Sequence, residues 1–65
     1  MPDNYYRIVA DELARLGFKR TPGGKGSHEK WRSTASGRRL IVPRNLKSRH
    51  TANGILGDAG SDKRV

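Results

Sequence analysis

Two apolar stripes of helical period bracket a central stretch where proline and glycine recur too often for a helix to pass. That arrangement restricts the chain to helices at its ends and extended structure between them. From Asp3 to Leu16, the residues Tyr6, Val9, Ala10, Leu13 and Leu16 fall at i, i+3, i+4, i+7 and i+10, one face of an amphipathic helix. Ala52, Ile55, Leu56 and Ala59 repeat the i, i+3, i+4, i+7 spacing further along. Asp3 is the expected N-cap of the first helix, Arg15 complements its C-terminal dipole, and Gly17 is placed to end it. Ser48 and Gly60 are the matching start and stop signals of the second helix. Gly54 and Gly57 lie inside it, each costing roughly 1 kcal/mol relative to Ala, so packing rather than propensity has to hold it.

The stretch between the stripes reads as three short strands. Lys19 to Thr21 is ended by Pro22, Gly23 and Gly24, which favour a turn and cannot sustain a ladder. From Ser27 to Ser33 strict alternation sets His28, Lys30 and Arg32 on one face and Glu29 and Trp31 on the other, with Trp31 the expected core anchor. Thr34 to Gly37 turns the chain into a third strand, Arg38 to Val42, stopped by Pro43. Arg44 to Lys47 is then a basic loop. The order αβββα gives an α+β fold in which two helices cover one face of a three-stranded antiparallel sheet and leave the other open.

Sixty-five residues make one domain, expected over residues 1–60, with 61–65 as a frayed tail because they lack apolar periodicity. A chain without cysteine has neither disulfides nor thiolate metal ligands to staple a small core. Apolar runs such as Leu40 to Val42 are far shorter than the ~20 residues of a membrane span, and no signal-peptide core is evident, so a cytoplasmic location is expected.

Charge is unevenly distributed. Of 14 Lys and Arg residues, ten fall between residues 18 and 50, where Glu29 is the one acid. The flanks are balanced or slightly acidic, so the excess of +8 belongs to the middle of the chain. A basic belt of this kind is the electrostatic footprint of a nucleic-acid binder. His28 sits inside it as a proton-transfer group. RNA supplies its own nucleophile, the 2′-hydroxyl, so one histidine that moves a proton beside positioned cations is sufficient for transesterification without a metal or other cofactor. Lys25, Lys30, Arg32, Arg38 and Arg39 are the candidate phosphate-holding and charge-stabilising residues. Gly26 allows close backbone approach, and Ser27 can donate to a phosphate oxygen. His50, beside Arg49, reads as a surface residue. Two separated histidines and scattered acids give no metal-ligand pattern.

Leu13, Gly17 and Phe18, then Gly26-Ser27-His28, Ile41-Val42-Pro43, and finally Thr51, Ile55, Leu56, Ala59 and Gly60 resemble the HicA family of bacterial toxin ribonucleases. The resemblance implies a double-stranded-RNA-binding-domain-like fold and cleavage of mRNA as an mRNA interferase. It also implies a catalytic histidine, which maps to His28, and a HicB-type antitoxin that masks the active face. Two other classes use the same basic belt and leave His28 dispensable: a non-catalytic RNA-binding module and a ribosome-associated structural protein.

Overall fold

Each change of apolar period in the sequence becomes an element boundary. The computed structural model describes residues 4–23 and 26–65. Helix α1 (Tyr6–Arg15) leads into strands β1 (Phe18–Thr21), β2 (His28–Ser33) and β3 (Arg39–Pro43), and helix α2 (Arg49–Asp58) follows. The strands form one antiparallel sheet in the order β1-β2-β3. The chain thus adopts the αβββα, α+β arrangement that its pattern calls for.

Both helices lie on the same face of the sheet. Phe18, Trp31, Leu40 and Val42 point from the strands into a core shared with Val9 and Leu13 of α1 and Ala52, Ile55 and Leu56 of α2. Burying each large apolar side chain contributes roughly 1.5–3 kcal/mol, which is why this small cluster can order the glycine-weakened α2. Trp31 is 8% exposed, at the centre of the middle strand, and its Nε1 is buried without a hydrogen-bond partner among the described residues. The shortest molecular dimension, 15 Å, fits one sheet carrying one helix layer. No helix among the described residues is long and apolar enough to cross a membrane.

Three details depart from the sequence reading. Asp3, the expected N-cap, lies outside the described residues, and α1 starts at Tyr6. There the Asn4 side chain accepts from the backbone N–H groups of Tyr6 (2.9 Å) and Leu46 (3.1 Å) and donates to the Arg44 carbonyl (3.0 Å). Leu46, placed by sequence in a basic loop, is a fully buried core residue, 2% exposed, drawn in by that clamp. Residues 61–65 were expected to fray. Instead Gly60, at φ +84°, closes a turn that ends α2, with the Ser61 N–H donating to the Leu56 carbonyl at 2.9 Å. The buried Ser61 hydroxyl donates to Glu12 at 2.6 Å, and the Val65 N–H donates to Asn53 Oδ1 at 2.8 Å. Ser48 does cap α2 as expected, its Oγ accepting from the Thr51 N–H at 3.2 Å.

Candidate functional site

Strand register, rather than sequence proximity, assembles the exposed face. Lys19 pairs with Arg32, and Arg32 with Arg39, giving one cross-strand row of three cations. The next row is Thr21, Lys30 and Ile41, and the third sets His28 opposite Pro43. Phe18, Trp31 and Leu40 are held inward by the core, so the period of two drives every one of these neighbours outward. No described helix covers them. The acid of the strands, Glu29, faces the helices instead.

A row of like charges on adjacent strands is destabilising, because directly opposed side chains are only about 4.5–5.5 Å apart at Cβ. Nothing in the hydrogen-bonding of the described residues offsets this row: Lys19, Arg32 and Arg39 make no ion pair there. The acids are used elsewhere. Glu29, its side chain 11% exposed, accepts from the Tyr6 hydroxyl at 2.5 Å and pairs with Arg20 at 3.2 Å and Arg44 at 3.4 Å. Burial alone would raise the Glu29 carboxyl, but the Tyr6 hydrogen bond and the Arg20 guanidinium outweigh it and hold the group below its ordinary value. Burial, then the neighbouring carboxylate, raises the Tyr6 phenol. On α1, Glu12 is held at about 2 by hydrogen bonds from Arg15 and Ser61.

The expected site residues separate into distinct groups. His28, Lys30, Arg32 and Arg39 share the open face. Gly26 and Ser27 form the exposed turn into β2; Gly26 takes φ +57°, a left-handed conformation that disfavours a side chain, and the Ser27 carbonyl accepts from the Arg44 N–H at 2.6 Å. That bond ties the start of β2 to the end of β3 and so fixes the backbone beside His28. Lys25 lies outside the described residues. Arg38 leaves the set: one position before β3, it points to the helix side and donates from Nη1 to the Asp58 carbonyl at 2.6 Å, at the C-terminal end of α2. Lys19 joins the set without having been singled out, since it is far from Arg32 in sequence and adjacent only through register. His50 is exposed in the first turn of α2, on the opposite layer.

Two shallow depressions run along the open face and share Thr21, Pro22 and Arg32. One, of about 370 Å³, is lined by those residues with Lys30, Arg39 and Ile41. The other, of about 690 Å³, extends past Lys19 to the turn Thr34–Gly37. Together they form a cationic track; His28 lines neither depression but stands on the same face, two positions along β2 from Lys30. No group of three or more His, Asp or Glu side chains able to hold a metal ion comes together among the described residues. Such a surface can neutralise several phosphates in a line while one imidazole on the same face exchanges a proton. No family model, curated protein or solved structure gives a significant match to this chain.

Proposed function

We propose that the chain is a metal-independent endoribonuclease toxin of the HicA kind, an mRNA interferase that grips RNA on the open face of its sheet and cleaves it through His28. The observation that carries this reading is the row Lys19, Arg32 and Arg39, which has no ion pair among the described residues, costs stability and gains a use when an anion lies across it. His28 stands on the same face, two positions from Lys30. In the reaction His28 accepts the proton of a ribose 2′-hydroxyl. The 2′-oxygen then bonds to the adjacent phosphorus, the bond to the 5′-oxygen breaks, and that leaving oxygen takes up a proton. Lys30 and its neighbouring cations stabilise the charge gathered on the phosphoryl oxygens. The cytoplasm, where mRNA is translated, is the proposed site of action.

A HicB-type antitoxin is the proposed inhibitor. An acidic surface laid over Lys30, Arg32 and Arg39 would block His28 while cancelling their mutual repulsion, and its association would slow as salt rises.

The test is incubation of the protein and its His28→Ala variant with mixed-sequence RNA in EDTA, followed by end-group analysis. Cleavage by the parent alone, leaving 2′,3′-cyclic phosphate or 3′-phosphate ends, is the expected result. Intact RNA bound equally by both proteins would replace the nuclease with a binding module.

A further inference from the structure

Charge alone does not account for Ile41. It is the one large apolar side chain exposed among the described residues, at 51%, and it stands midway along the edge strand β3, between cations of the open face. Lys30 is its cross-strand partner, Arg39 and Pro43 flank it along β3, and Arg32 is diagonal to it. It lines the 370 Å³ depression together with Pro22, from the end of β1, and the cations Lys30, Arg32 and Arg39. The rows on either side, His28 with Pro43 and Lys19 with Arg32 and Arg39, lie about 6.6 Å away along the strands.

We propose that this depression is a subsite for one unpaired nucleotide next to the cleaved phosphate, with the base against Ile41 and the adjoining phosphate on Arg32 and Arg39. The proposal deepens the RNA reading above and rests on it. An exposed apolar side chain can meet a base face only when that base is turned out of a duplex, as bases of single-stranded loops and ends are. The sheet, three strands and roughly 10 Å across, offers width for one strand laid along it. An acidic peptide would match these cations equally well, but it gives no reason for a histidine on the same face. Ile41 is thereby a specificity-determining residue: it makes the face prefer nucleic acid that carries accessible bases over any other polyanion of equal charge.

DNA lacks the 2′-hydroxyl, so binding can be read apart from cleavage. Fluorescence anisotropy would compare a labelled single-stranded DNA oligonucleotide with a base-free deoxyribose-phosphate chain of the same length, for the parent, Ile41→Thr and Ile41→Tyr. Threonine and tyrosine both favour strands, so the fold is retained. The parent should prefer the base-bearing chain. Ile41→Thr should lower that preference about fivefold, the effect of losing the half-exposed apolar surface. Ile41→Tyr should raise it, since a base stacks well on an aromatic ring. Affinity for the base-free chain should be the same in all three. A preference unmoved by either substitution would overturn the proposal. So would an equal loss for both chains. If Ile41-dependent base preference is found in a protein that does not cut RNA, the subsite stands and the nuclease falls; cleavage without any dependence on Ile41 has the reverse meaning.

Discussion

On the face toward the helices, β1, β2 and β3 present Phe18, Trp31, Leu40 and Val42, all buried, and the strand acid Glu29 is matched by Arg20 and Arg44. One residue along the same strands, the outward face presents Lys19, Lys30, Arg32, Arg39 and His28, exposed and without a carboxylate among the described strand residues. The first face obeys the rules of a stable interior: apolar groups out of water and charges in pairs. The second breaks the rule against opposing like charges. A chain this small has few kilocalories to lose, about 0.05–0.15 kcal/mol per residue, so a retained repulsive row points to a use outside the fold. Stability and recognition are divided between the two sides of a single layer.

Substitutions that affect one face and spare the other test that division. The largest effect is expected from Trp31→Ala, which should cost about 3–5 kcal/mol and leave much of the protein unfolded in a urea titration. Glu29→Gln should cost less, about 1–2 kcal/mol, because Arg20 and Arg44 are largely solvated and Tyr6 keeps an acceptor; RNA affinity should hold. Acid should act through the same buried side. Glu12 is depressed from 4.5 to about 2 in the folded protein, so its contribution is present above the ordinary carboxyl range and disappears as pH falls toward 2. Melting temperature followed from pH 6 downward, in about half-unit steps, should therefore fall less steeply for Glu12→Gln than for the parent. The smallest stability change, within about 0.5 kcal/mol, is expected for Arg32→Ala. That variant should nevertheless bind RNA more weakly and lower the salt slope of binding by about one. A large loss of stability at Arg32, or an RNA defect at Glu29, would erase the distinction between the faces.

Much of the fold was legible because two periods are strong in this sequence. The stripes from Tyr6 to Leu16 and from Ala52 to Ala59 mark the helices, and Trp31 in an alternating segment fixes which side of β2 is inside. What escaped depends on contacts distant in sequence. Leu46 sits among polar neighbours with no period to betray it, and enters the core because Asn4, 42 positions away, clamps its N–H. Ser61 carries no apolar signal, and its burial depends on Glu12 across the helix layer. For the site, His28, Lys30 and Arg32 followed from alternation alone. Lys19 needed the β1–β2 register, and the separation of Arg38 from Arg39 was hidden because a single residue step reverses the face.

The most direct test of the division is an NMR titration with a single-stranded DNA oligonucleotide, following the His28 imidazole and the methyl groups of Ile41, Val9, Leu13 and Leu56. Movement of the His28 and Ile41 signals, with the helix-side methyls of Val9, Leu13 and Leu56 unmoved, is the expected result. Shifts centred on the helix layer, with His28 and Ile41 unchanged, would contradict the assignment of the open face to RNA.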